Sequence, residues 1–250
     1  MKILLINPNT TESMTRTAAS AAKAVASPGT EIIARTSRMG PVSIEGYYDE
    51  ALAVPGLLME LAEGEKAGAD AAIIACFDDT GLDAARALAS IPVIGICEAA
   101  VAITGFIAQR FTIVTTMERS RLPLEHLVRR YGAQERCKVR AADIPVLSLE
   151  DPASNAHARL QVEISLALEQ DRAEAIILGC AGMADLTRQL RVEFGVPVID
   201  GVAAAVRQAE ALVSLGLSTA KGNAYARPVE KDYRGELAGF APASLLGRSG

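Results

Sequence analysis

Two of the four cysteines in this 250-residue chain stand in matched surroundings. The run Ala71-Ala72-Ile73-Ile74-Ala75-Cys76 reappears 104 residues later as Ala175-Ile176-Ile177-Leu178-Gly179-Cys180, so a thiol closes the same short apolar run twice. An unperturbed thiol has a pKa of about 8.5, so of two such groups one can act as thiolate base while the other acts as thiol acid near neutral pH. That pairing suits inversion of a carbon beside a carbonyl, where one group removes a proton from one face and the other delivers a proton to the opposite face. A lone cysteine at a strand end reads as a small core hydrophobe. The matched placement is what favours chemistry here. Cys97 and Cys137 fall opposite Val202 and Ile32 at a displacement of 105, where the repeat substitutes ordinary apolar residues, so both read as structural.

The elements that must position the pair are legible in the same repeat. Short aliphatic runs bounded by Gly, Pro, Asn or Asp predict strands at Ile3–Ile6, Glu31–Arg35, Ala71–Ala75, Pro92–Ile96, Phe111–Thr115, Lys138–Ala142, Ala175–Leu178 and Pro197–Ile199. Helical patterns fall between them at Thr11–Ala26, Ala51–Ala67, Leu82–Ala89, Leu122–Tyr131, Asn155–Glu169 and Leu186–Phe194. Strict alternation predicts parallel sheets covered on both faces. Val42-Ser43-Ile44-Glu45 matches Leu147-Ser148-Leu149-Glu150, and Ile91-Pro92-Val93-Ile94 matches Val196-Pro197-Val198-Ile199, both displaced by 105. Ile6-Asn7 matches Val114-Thr115, displaced by 108, and each opens onto threonines. The expected fold is therefore α/β, two pseudo-symmetric lobes, each a four-stranded parallel sheet flanked by helices. Residues 1–98, completed by a helix over 203–217, form the first lobe and residues 99–202 the second. Ligands of open α/β sheets bind beyond the carboxyl ends of the strands, which points to the cleft between the lobes. Residues 227–250 are rich in Gly, Pro and Ser and are expected to be loosely ordered.

Composition narrows the partners. A net charge of −5, with no basic face implied, argues against nucleic acid. No apolar stretch has the length of a membrane span or a signal-peptide core, and four cysteines without close pairs suggest free thiols in a reducing compartment, so a cytoplasmic location is expected. Phosphate-loop and dinucleotide fingerprints are absent, and the two histidines, His126 and His157, fall in polar helical stretches with no partner at metal spacing; no metal and no cofactor are expected.

Several residues near the thiols could bind a small molecule. Asn9, in a Pro-Asn-Thr-Thr turn after the first strand, could offer its amide to a ligand or cap the next helix. Thr115 and Thr116 occupy the equivalent place in the second half, and Ile44 and Phe77 could line an apolar pocket. Asp78 and Asp79 are expected to cap the helix that follows, since a carboxylate touching Cys76 would disfavour its thiolate. Each thiol precedes a segment that starts a helix, and a helix amino terminus would favour the thiolate.

At these residues the chain resembles hydantoin racemases of the aspartate/glutamate racemase superfamily. The resemblance rests on Ile6-Asn7-Pro8-Asn9-Thr10-Thr11, Gly40-Pro41-Val42-Ser43-Ile44-Glu45-Gly46-Tyr47-Tyr48-Asp49 and Ala75-Cys76-Phe77-Asp78-Asp79-Thr80-Gly81-Leu82-Asp83 in the first half. It continues through Pro92-Val93-Ile94-Gly95-Ile96-Cys97-Glu98-Ala99, Val114-Thr115-Thr116 and Leu178-Gly179-Cys180-Ala181-Gly182-Met183. It implies catalytic Cys76 and Cys180 and a substrate that is a neutral five-membered ring, a 5-substituted hydantoin. Asn9, Ile44, Phe77, Thr115, Thr116, Gly179, Ala181 and Gly182 are the expected binding residues, and a homo-oligomer is the expected assembly. Amino-acid racemases of this superfamily carry C-N-T and G-C-T-H at the thiols, where this chain has Cys76-Phe77-Asp78 and Gly179-Cys180-Ala181-Gly182, so a free amino acid is disfavoured. Arylmalonate decarboxylases keep only the second cysteine. An allantoin racemase is the nearest alternative, followed by a cis-trans isomerase, and a two-lobed binding protein with inert thiols is the non-enzymatic one.

Overall fold

The computed structural model describes residues 1–151 and 154–246, apart from the side chains of Glu150, Ala184 and Asp185. The first sheet is built from β1 (Lys2–Asn7), β2 (Glu31–Thr36), β3 (Ala71–Ile74) and β4 (Val93–Gly95), and the second from β5 (Phe111–Thr115), β6 (Cys137–Ala141), β7 (Ala175–Gly179) and β8 (Val198–Asp200). Every pairing is parallel. Strand order is β2-β1-β3-β4 in one sheet and β6-β5-β7-β8 in the other, the same topology twice, as the sequence repeat requires. The helices are α1 (Glu12–Val25), α2 (Tyr47–Lys66), α3 (Leu82–Leu88), α4 (Ile96–Thr104), α5 (Arg121–Arg130), α6 (Ala156–Gln170), α7 (Thr187–Phe194), α8 (Gly201–Ser214) and α9 (Pro242–Leu246). None of the described helices is long and apolar enough to cross a membrane.

Because side chains alternate across a strand, each apolar run feeds two cores. Leu4, Ile6, Ala72 and Ile74 face one cluster with Leu57, Leu61 and Leu82 from α2 and α3. Ile3, Leu5, Ala71 and Ile73 face another, and there Phe111, Ile113, Ala175 and Ile177 of the second sheet join the same cluster, with α1, α4 and α8 between. The two sheets thus share a central core. Val114, Ile176 and Leu178 point the other way, against α6 and α7. Burial on both faces explains why the inner strands β1, β3, β5 and β7 read as near-continuous apolar runs, whereas the edge strands β2 and β6 carry exposed residues such as Glu31 and Lys138.

Departures from the sequence reading have local causes. The strand expected through Ile96 stops at Gly95, and α4 begins there; its residues are almost all apolar and buried, so no amphipathic period announces it. The helix expected from Ala51 starts a turn earlier, at Tyr47, and runs through Pro55. The helix expected over 203–217 is α8, started by the Asp200 carboxylate, which accepts from the Val202 and Ala203 amides at 3.0 Å each. The segment after Arg227 has more local order than its composition suggested. A 3-10 turn over Gly235–Phe240 leads into α9, whose Leu245 and Leu246 pack on the α2–α3 core while the Leu245 carbonyl accepts from Lys66 Nζ at 2.9 Å. Residues 247–250 of that expectation lie outside the described residues.

Candidate active site

Parallel register brings the carboxyl ends of β1 and β3 together in one half and those of β5 and β7 in the other. Ile6 lies opposite Ile74, so Asn7 meets the chain just before Cys76; Thr115 lies opposite Gly179, just before Cys180. Gly179 is needed for that second approach, since a Cβ there would come within 2.9 Å of Thr115 Cα. The Thr115 hydroxyl donates to the Gly179 carbonyl at 3.2 Å and so serves the strand pair.

Cys76 and Cys180 line one narrow cleft, whose cavity volume is about 40 Å³. Asn9, Ile44, Phe77, Thr115, Thr116, Gly179 and Ala181 line it too, as the sequence reading grouped them. Gly182 does not; its amide donates to Cys180 Sγ. Met14, Ala75, Asp78, Ser120 and Val146, which are not among the expected binding residues, complete the wall. For Asp78 the signal was its place two residues after a thiol, which had been assigned to helix capping.

Each thiol is followed by a similar tight turn: the Asp79 amide bonds the Cys76 carbonyl at 3.1 Å, and the Met183 amide the Cys180 carbonyl at 3.1 Å. Cys76 Sγ accepts from the Thr80 hydroxyl at 3.3 Å, and the nearby Asp78 amide also favours its thiolate. A helix amino terminus is not the main influence on Cys76, because α3 starts only at Leu82. Contrary to the expected stabilisation of the thiolates, burial pushes both thiols up. Cys180 rises to about 11, and Cys76 is raised well above its ordinary value, first by burial and then by the Asp78 carboxylate.

The two aspartates do different work from the capping expected of them. Among the described residues nothing donates a hydrogen bond to the Asp78 side chain, which lines the cleft near Glu50 of α2; burial, then Glu50, pushes its carboxyl up to about 7. Asp79 caps a helix, but not the next one. Held at φ 48°, it accepts from the Cys97 and Glu98 amides that open α4, at 3.0 and 2.9 Å, and from the Tyr131 hydroxyl at the end of α5, at 2.6 Å. Gly95 leaves the room for this: a Cβ would lie 2.3 Å from the Asp79 carboxyl carbon. The Cys76 turn is thereby tied both to α4 and to α5 of the other half.

Asn9 serves the turn and keeps a donor over. Its Oδ1 accepts from Asn7 Nδ2 at 2.8 Å and from the Thr11 amide at 2.9 Å, while Nδ2 meets only the weak Met14 thioether acceptor, at 3.5 Å. The hydroxyls of Thr116 and Ser120 also reach the cleft without a hydrogen-bond partner among the described residues. Cys97 and Cys137 lie inside the central core, away from the cleft. His126 is exposed near the Tyr47 hydroxyl, whereas His157 is half-buried with Nε2 unpartnered, less solvated than expected. No group of three or more His, Cys, Asp or Glu among the described residues could hold a metal ion.

Comparison with known proteins gives concordant likenesses. A family model described as Asp/Glu/Hydantoin racemase matches residues 3–209. A hydantoin racemase of Rhizobium meliloti is 52% identical over 229 residues, covering 91% of this chain and 95% of that one. A hydantoin racemase of Paenarthrobacter aurescens is 44% identical, covering 93% and 100%. Among solved structures, an allantoin racemase from Klebsiella pneumoniae superposes with a TM-score of 0.94 at 47% identity, covering 97% of this chain and 99% of that one.

Proposed function

The chain belongs to the Asp/Glu/hydantoin racemase family and is a racemase, an isomerase; we propose that it racemises 5-substituted hydantoins with Cys76 and Cys180 as the two bases. The observation that carries this reading is the pair of thiols from matching strand ends in two halves, lining one cleft. The ring carbon C5 lies beside a carbonyl. One thiolate takes its proton, the C–H electron pair becomes the enolate, and the other thiol delivers a proton to the opposite face. In the reverse direction the two exchange roles. Asn9 Nδ2 and the Thr116 and Ser120 hydroxyls are suited to the ring's carbonyl and N–H groups, and a donor at the enolate oxygen lowers the barrier. Ile44, Phe77, Met14 and Val146 supply apolar wall for the 5-substituent. Both proton transfers run through side chains, so the reading calls on no metal or cofactor. A soluble, cytoplasmic homo-oligomer remains part of the proposal on family likeness.

The lining supports a neutral substrate. Among the described residues it contains no Lys or Arg, and it does contain Asp78, which would oppose the carboxylate of a free amino acid. Allantoin, itself a hydantoin with a 5-ureido group, is the second reading, favoured by the polar Asn9, Thr116 and Ser120 and by the 47% identity to an allantoin racemase. Polarimetry with a 5-alkyl hydantoin and with allantoin decides between them. A kcat/KM at least tenfold higher for the alkyl compound is expected, and the reverse order would assign the enzyme to allantoin.

Replacing Cys97 or Cys137 with alanine should leave turnover near that of the unaltered enzyme and reduce stability by about 1 kcal/mol, as for ordinary trimming of a core side chain. Thermal denaturation beside the polarimetric assay reads both quantities. Loss of turnover in a folded Cys97→Ala protein would contradict the assignment of the thiols.

A further inference from the structure

Thr80 stands outside the residues that line the cleft and has a feature that packing does not explain. Its side chain is 2% exposed, and its hydroxyl donates to Cys76 Sγ at 3.3 Å, with no other hydrogen bond among the described residues. The neutral thiol is a weak acceptor, the thiolate a strong one, so this buried hydroxyl is best satisfied when Cys76 is charged. Thr80 does not cap α3 either: Gly81 holds the cap position and no side-chain bond is made there.

We infer that Thr80 is a further catalytic residue, whose hydroxyl stabilises the thiolate of Cys76 alone and so makes the two proton-transfer steps unequal. The inference rests on the reading of Cys76 as one of two bases. The surroundings of Cys76 make such a donor consequential. Asp78 on its own turn, Glu50 of α2 acting on Asp78, and Cys180 just after β7 all bear negative charge when ionised, and no Lys or Arg among the described residues lines the cleft to offset them. Relief comes from the Asp78 amide and the Thr80 hydroxyl. Cys180 receives the Gly182 amide. At the 104-residue displacement of the thiols, the residue matching Thr80 is Ala184, which has no hydroxyl to give. The duplicated site is therefore symmetric in its bases and asymmetric in their support.

Racemisation of the unaltered protein cannot reveal the asymmetry, because two enantiomers of equal free energy must interconvert with equal kcat/KM. Alkylation reads it directly. The full-length protein is pulsed with iodoacetamide from pH 6 to pH 10 without substrate, and labelling is quantified on the separate tryptic peptides 67–86 and 173–188. Thr80→Val, which fills the same space in an apolar setting, should move the Cys76 profile up by roughly one pH unit, about a tenfold slower reaction at a given pH below it. Thr80→Ser should restore the profile, and Cys180 should stay put. If Thr80→Val leaves Cys76 unmoved, or moves both thiols alike, the inference is overturned. As a second readout, Thr80→Val should slow hydrogen–deuterium exchange at C5 about tenfold in a Cys180→Ala background and leave it unchanged in a Cys76→Ala background. Should neither single-cysteine background exchange one enantiomer selectively, the two-base reading fails. The alkylation profile would still decide whether Thr80 serves Cys76.

Discussion

Cys76→Ala and Cys180→Ala are each expected to lower racemisation by about a thousandfold or more while leaving a folded protein, because in the proposed mechanism each removes the base on one face of the substrate. The cleft offers no ready substitute. Among the described residues, Asp78 is the remaining titratable side chain on its wall, and burial pushes it up to about 7, so it is a far weaker base than a thiolate. The structural cost should be modest: the backbone turn bonds around both cysteines run through their carbonyls, and Cys76→Ala additionally leaves the buried Thr80 hydroxyl without its acceptor, at about 1–3 kcal/mol. Circular dichroism and thermal denaturation separate unfolding from lost chemistry. Retention of even a tenth of the activity in either variant would contradict the assignment of two bases.

The second large effect is on pH dependence. The proposed mechanism needs one thiolate and one thiol, so kcat/KM should follow the macroscopic ionisations of the pair. Cys180 is raised to about 11 and Cys76 well above its ordinary value, both by burial first, which leaves little thiolate at pH 7. Below a pKa the thiolate fraction grows about tenfold per pH unit, so kcat/KM should climb by roughly a hundredfold between pH 7 and pH 9. Asp78 modifies the curve. It is neutral below about 7 and charged above, and its charge pushes both thiols higher, so the slope should flatten near neutrality. Asp78→Asn removes that charge and should shift the rising limb to lower pH. A plateau already reached at pH 7 in the unaltered enzyme would show that the thiols are not raised in the working enzyme.

Much of this site was legible because the chain is duplicated. A thiol at the end of Ala71–Ile74 and another at the end of Ala175–Gly179 became a pair once the repeat was laid out, and the same repeat separated Cys97 and Cys137 from them. The inner strands were readable since burial on both faces makes them apolar, and for the related reason α4 was not, being largely apolar with six of its nine residues buried. The direction of the thiol shifts escaped the sequence. Proximity to a helix start suggested easier ionisation, but depth in the protein outweighs it, and depth is a property of the assembled lobes. Asp79 shows the same limit. Its capping role was anticipated, yet its partners are the amides of Cys97 and Glu98 and the hydroxyl of Tyr131, 52 residues away in the chain. Met14, Ser120 and Val146 have no matched counterpart that the repeat could flag. Thr80 could have been found, since a hydroxyl four residues beyond a thiol, missing from the second copy, is a difference that the repeat itself displays.

The most direct test of two bases in one cleft is deuterium exchange at C5 of each pure enantiomer of a 5-alkyl hydantoin in D₂O, followed by proton NMR beside polarimetry. Cys180→Ala should exchange one enantiomer with retention of configuration, Cys76→Ala should exchange the other, and neither should racemise appreciably. If both variants exchange the same enantiomer, or either racemises near the rate of the unaltered enzyme, a single mobile base or a covalent route must replace the pair.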